Sequence, residues 1–315
     1  MTTTTISTPA GRRASGPAQP AAPRSRRRRA YSSDQPRRSP LLTVLMLLAL
    51  VYFLLPLFWL VVASTKSNAD LFSSFGLWFA QSMSLWENIQ AVFTAQDGVY
   101  LLWMRNTVIY AGTAAVGAAF LATAAGYAFA KYRFPGSNAI FSGILGSIMI
   151  PTTALAIPTY LLFAKAGLTN TPWAVILPSL VSPFGVFLMR VYAADAVDDT
   201  LIEAARVDGA GELRIFFQVA LRLLVPGLVT VLLFTLVATW NNYFLPLIVL
   251  NSPDLFPLTV GLAQWQATAA GGSGSRPLFS SVITGSLISI IPLIVAFLFL
   301  QRYWQSGLAT GSVKG

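Results

Sequence analysis

The sequence predicts an all-α membrane protein with six transmembrane helices. Three observations carry this. Charged residues make up only 10% of the 315 residues while hydrophobic ones make up 55%, against about 25% charge in a soluble domain. Six stretches, 41–63, 106–130, 138–164, 172–189, 223–250 and 277–301, contain no Asp, Glu, Lys or Arg. Each is long enough for a helix to cross about 30 Å of hydrocarbon, which takes about 20 residues. A central charge would cost about 2.5–3.5 kcal/mol in such a helix. Buried helices of a soluble core are the alternative, but these normally keep a polar face. The third observation is where the basic residues fall. With the N-terminus inside, seventeen Lys and Arg lie in inner segments and four, Lys66, Arg105, Lys165 and Arg276, in outer ones. That is the positive-inside pattern, and it puts both termini in the cytoplasm.

The composition also excludes chemistry. The chain has no Cys and no His. That removes disulfides, zinc fingers, imidazole bases and His–metal sites.

The chain divides into a tail, 1–39, and a transmembrane domain, 40–315. The tail holds nine Arg and is too poor in bulky apolar residues to build a core, so it is expected to be disordered. Arg26-Arg27-Arg28-Arg29 resembles a nucleic-acid patch, and an acid-poor, Arg-rich leader resembles a transit peptide. A topology anchor facing anionic lipid explains the same residues, with no nucleic-acid partner needed. Span 1 is too long for a signal-peptide core of about 7–15 residues. The outer loop 64–105 carries Trp78, Phe79, Trp86 and Trp103, suited to the membrane interface.

Span 2 is nearly all Ala, Gly and Thr from 111 to 126. Small residues allow close backbone approach, so this helix is expected inside the bundle. Span 3 carries Pro151 and Pro158, and span 4 carries Pro172, Pro178 and Pro183. Kinked neighbours of this kind favour a transporter or channel over a plain anchor.

The inner loop 190–222 holds six of the eleven acidic residues and four Arg. Thr200 and Glu203 have capping-box spacing, which predicts a helix to about Val207. Asp208-Gly209-Ala210-Gly211 then breaks it. A second helix should bury Leu213, Phe216, Phe217, Ala220, Leu221 and Leu224 along one face. The result is a helix–turn–helix knob. On its first helix, Ala204 and Ala205 leave one side nearly bare for close docking.

Glu203-Ala204-Ala205, Asp208-Gly209-Ala210, Phe216 and Pro226 together resemble the EAA motif of ABC importer permeases. Pro151, Pro158-Thr159-Tyr160, Gly167-Leu168-Thr169-Asn170-Thr171 and Phe187-Leu188-Met189-Arg190 resemble the preceding family pattern. Trp240-Asn241-Asn242-Tyr243 and the following Phe244-Leu245-Pro246-Leu247 resemble its span 5, and 307–315 its ending. The likeness covers about 100–315 and is to the carbohydrate-uptake branch, the maltose-type second permease subunit. Two positions depart from the pattern: Asp198 and Arg222 stand where the family commonly has Pro.

The resemblance implies the type I ABC importer permease fold, in a bacterial cytoplasmic membrane, with no catalysis on this chain. Glu203 is then the ionic contact to a basic residue of a separate ATPase, Ala204 and Ala205 the close-approach surface, and Asp208 and Gly209 the turn. The chain contains no Gly-x-x-x-x-Gly-Lys-Ser/Thr, so ATP and Mg²⁺ are expected on partner ATPase subunits. The other implied partners are a second permease subunit in a heterodimer, two ATPase subunits or domains, and an extracytoplasmic solute-binding protein.

Spans without charge suit a neutral solute, and Trp240, Asn241, Asn242 and Tyr243 offer faces and amides suited to sugar. The same four residues also read as a packed aromatic cluster. A non-sugar ABC importer and a secondary transporter are the alternatives. Ion-coupled carriers often hold intramembrane charges, which these spans lack.

Overall fold

A computed structural model describes residues 1–3, 39–271 and 278–310. The expected disorder of the tail therefore falls, from 4 to 38, outside the described residues. So do Arg276 and the ending 311–315. The chain divides into two units, 1–50 and 51–315. Among the described residues there are helices and no strands.

Helix α1 is Pro40–Ser64, α2 Asn68–Ser73, α3 Leu85–Thr94, α4 Val99–Lys131, α5 Ser137–Ile148 and α6 Thr152–Lys165. Then come α7 Trp173–Ser179, α8 Pro183–Ala196, α9 Asp199–Val207 and α10 Glu212–Ile215. A π-helical turn, Phe216–Ala220, leads into α11 Leu221–Trp240, followed by α12 Phe244–Val249, α13 Leu258–Ala270 and α14 Leu278–Thr310. Five helical stretches, containing α1, α4, α8, α11 and α14, are long and apolar enough to cross a membrane, and the pair α5–α6 makes a sixth.

Three predicted spans are broken. Span 3 bends by 107° between α5 and α6, beyond the kink its prolines suggested. Pro151 caps α6 with extended ψ of 126° and supplies no N–H to α5. Span 4 parts between α7 and α8, where Pro183 pushes Ser182 out of helical geometry. Span 5 does not run unbroken to 250. It stops at Trp240, where the backbone N–H and the side-chain Nδ2 of Asn241 both donate to the Val237 carbonyl. The Asn side chain thereby competes with helix continuation.

Helix α4 is the centre of the bundle, as its small residues predicted, and packs against α8 and α11. Ala111, Ala114, Ala115, Ala118, Ala119, Ala122, Thr123 and Gly126 are all buried. At Gly126 the backbone of α8 comes so near that a Cβ would lie 2.5 Å from Met189 Cβ. By contrast, Val51, Tyr52, Phe53 and Leu54 on α1 stay exposed, as lipid-facing residues do.

Two core clusters sit at opposite ends of α4. One gathers Tyr100, Trp103, Tyr110, Trp240, Leu250 and Trp265. There α4 grips the 253–258 turn. Trp103 Nε1 donates to Pro253 O (3.0 Å), Asn106 Nδ2 to Asp254 O (2.7 Å) and Tyr110 Oη to Leu255 O (2.9 Å). Asn170, at φ +55°, accepts from the N–H groups of Asn251 and Ser252 with its Oδ1. Trp103, expected at the interface, is thus part of this core, while Trp78 and Trp86 are exposed. The other cluster holds Tyr127, Met189, Ala193, Ile202, Ile215, Phe216 and Leu224, and on it stands the knob.

Candidate functional site

The knob forms where the sequence placed it, but its cap is different. Asp198, not Thr200, caps α9: its carboxylate accepts from the Thr200 backbone N–H (2.9 Å) and hydroxyl (2.8 Å). Asp is as good an N-cap as Thr, so the departure at 198 replaces a helix-starting proline with a helix-starting carboxylate. Glu203 is released from the capping role. It lies mid-helix, exposed, with no hydrogen bond or ion pair among the described residues.

Helix α9 ends in a Schellman arrangement. Ala210 N–H donates to Ala205 O and Gly209 N–H to Arg206 O, with Gly209 left-handed at φ +78°. This closure satisfies terminal carbonyls that would otherwise be bare. It turns the chain sharply, so Glu203, Ala204 and Asp208 are all exposed, with Ala205 half-buried. Ile202 is the one fully buried side chain of α9 and anchors it to the core below.

Two contacts that sequence reasoning missed tie the knob to α4. Lys131 Nζ pairs with Asp199 Oδ1 at 2.7 Å, and Tyr132 Oη donates to Glu212 Oε2 at 2.6 Å. Glu212 also accepts from Arg206 Nε at 2.7 Å, bridging α9 to α10. The Arg206 guanidinium, then the Tyr132 hydroxyl, hold the Glu212 carboxyl below its usual range. Burial, then Glu212, push the Tyr132 phenol up. Partners so remote in sequence leave no local signal.

The buried face of the second knob helix also differs. Ile215, Phe216, Ala220 and Leu224 are buried, whereas Leu213 and Phe217 are exposed. The π turn at Phe216–Ala220 is the cause. Its wider winding shifts register, so 3.6-residue spacing drawn through it selects the wrong side chains. Arg222, the other departure, is exposed on α11, whose helix continues past it.

The second group of candidates is split by the break in span 5. Trp240 is buried in the core cluster, while Asn241 and Tyr243 are exposed and Asn242 is half-buried. The Asn242 carbonyl, freed by the break, accepts from Thr259 Oγ1 at 2.8 Å. Of the four, only Trp240 is withdrawn into the core. Among the described residues no group of His, Cys, Asp or Glu could hold a metal.

A bundle of broken, proline-rich spans carrying a projecting helical knob defines a multi-pass membrane transport subunit. The chain belongs to the family of binding-protein-dependent transport system inner membrane components, whose profile matches residues 118–309. It is therefore an inner-membrane ABC importer permease subunit, and not an enzyme. It is 35% identical to the arabinooligosaccharides transport system permease protein AraQ of Halalkalibacterium halodurans, over 89% of this chain and 99% of that one. It is 30% identical to the lactose transport system permease protein LacG of Rhizobium radiobacter, over 88% and 98%. Its fold matches a chain from the crystal structure of a bacterial ABC transporter involved in the import of the acidic polysaccharide alginate. That match has a TM-score of 0.72 at 23% identity, covering 84% of this chain and 95% of that one.

Proposed function

We propose that this permease imports a neutral sugar or oligosaccharide and is driven through the α9 knob by a separate ATPase. The observation that carries the coupling role is Glu203, an exposed carboxylate with no partner among the described residues, on a helix whose neighbouring exposed surface is Ala204, with Ala205 half-buried against the core beneath it. An unpaired anion beside a bare, close-approach face is suited to a cleft lined by a basic residue. Gly209 and Asp208 set the turn that presents it. The knob faces the cytoplasm, as do both termini, because the predicted inner segments carry the excess of Lys and Arg.

ATP and Mg²⁺ are held by two partner ATPase subunits or domains. A second permease subunit completes the pathway as a heterodimer, and an extracytoplasmic binding protein delivers the solute. The sugar assignment rests on two supports. Relatives are named for arabinooligosaccharides and lactose, and the predicted spans contain no charged residue to pair with an ionic ligand. Asn241, Asn242 and Tyr243, at the break in span 5, are the residues proposed to meet it.

The test is Glu203→Arg in the assembled transporter. Uptake and ATPase attachment should be lost while membrane insertion persists. Normal uptake would remove the ion-pair role.

A further inference from the structure

We propose that a recess beside the knob binds the phosphate of an anionic phospholipid. A cavity of about 530 Å³ opens between the end of α4, the start of α5, α8 and the first residue of α9, within the size range of small-molecule sites. Three cations line it, Lys131, Arg133 and Arg190, against a single carboxylate, Asp199. Lys131 is already paired with Asp199 at 2.7 Å, so the two guanidiniums are left over. Neither has an ion-pair or hydrogen-bond acceptor among the described residues. The Arg190 guanidinium carbon lies over the Phe141 ring, 3.8 Å from its centroid. The cation–π contact with the ring leaves the guanidinium N–H donors to an outside acceptor.

Two unpaired guanidiniums lining one concave site fit the several oxygens of a phosphate better than a spherical anion such as chloride. Ser137 and Asn138 complete the lining with polar groups at the start of α5. The carrier of that phosphate follows from what surrounds it. Helix α5, which opens the predicted span 3, begins here, and Ile140, one turn along, is exposed. A head group in the recess would lay its acyl chains along that apolar surface, whereas a free phosphate ester would leave it bare. Basic pockets between spans on one membrane face are a known form of lipid site. The site touches the knob, because Lys131 and Asp199 belong to both.

The test uses the complete transporter and native mass spectrometry. Phosphatidylglycerol and phosphatidylcholine are titrated into wild type and into the double variant Arg133→Gln, Arg190→Gln, with inorganic phosphate as a separate probe. Wild type should bind phosphatidylglycerol about tenfold more tightly than the double variant, the loss expected when charge-assisted hydrogen bonds are removed. Phosphatidylcholine should not distinguish them. If the double variant does not assemble, Ser137→Glu replaces it: an acid at a helix start is tolerated by the helix but repels phosphate, so the same loss is expected. Equal phosphatidylglycerol affinity in wild type and variant overturns the proposal. So does a complete transporter that binds none, as when an ATPase subunit covers the recess. Binding of inorganic phosphate without preference for phosphatidylglycerol overturns it too.

Discussion

At residue scale, the knob depends on a few side chains whose surroundings give each a distinct task. Gly209 closes α9 at φ +78°, a conformation that costs an L-residue about 1–2 kcal/mol. Gly209→Val should therefore weaken attachment of the ATPase by about 5- to 30-fold, as measured by co-purification, while the permease still inserts. Glu212 behaves differently, because its partners are within the chain. Its carboxyl is held below the ordinary range by Arg206 and Tyr132, so its contribution is fully present above the unfolded carboxyl pKa of about 4.3. That contribution is lost as pH falls through the depressed folded value. Hydrogen-exchange protection across 206–215, taken relative to the intrinsic exchange rate at each pH, should be flat from neutrality down to the usual carboxylate range and fall only below it. In Glu212→Gln that protection should be lowered throughout the range above the usual carboxylate pKa. Glu203 has no such partner, and its substitution should leave that exchange pattern unchanged.

At the scale of elements, close approach governs α4. A Cβ on Gly126 would meet Met189 Cβ at 2.5 Å and the α8 backbone at 2.7 Å. Gly126→Leu should cost about 1–3 kcal/mol or more through overpacking, lowering the thermal midpoint, with Gly126→Ala intermediate. Much of this was legible in the sequence. The run of Ala, Gly and Thr in span 2 announced a helix buried on its neighbours, and the charge-free stretches announced the spans. The acids and Gly209 announced the knob. The rest depends on partners far away in the chain or on local competition that periodicity does not record. Asp198 displaced Thr200 as the cap because both are good caps and only folding chose between them. The π turn displaced Leu213 and Phe217 from the core because a 3.6-residue rule assumes regular winding. The break at Asn241 comes from an amide side chain bonding back to Val237, which hydropathy averages conceal. Lys131 and Tyr132 reach the knob across more than sixty residues of sequence.

At the scale of the whole molecule, charge is apportioned by role. The predicted spans are left uncharged, most acids gather in the loop 190–222, and the basic residues are concentrated in the predicted inner segments. Phosphatase or fluorescent-protein fusions within the loop 190–222 should report the cytoplasm, and fusions near Ser252 should report the opposite side. The central claim is that the α9 knob is where a separate ATPase engages this permease. A photo-crosslinking amino acid at position 203 of the assembled transporter tests it most directly. Irradiation should join this chain to an ATPase subunit, and the crosslink should change in yield when ATP binds. A crosslink only to lipid or to the second permease, with ATPase still bound, would contradict it.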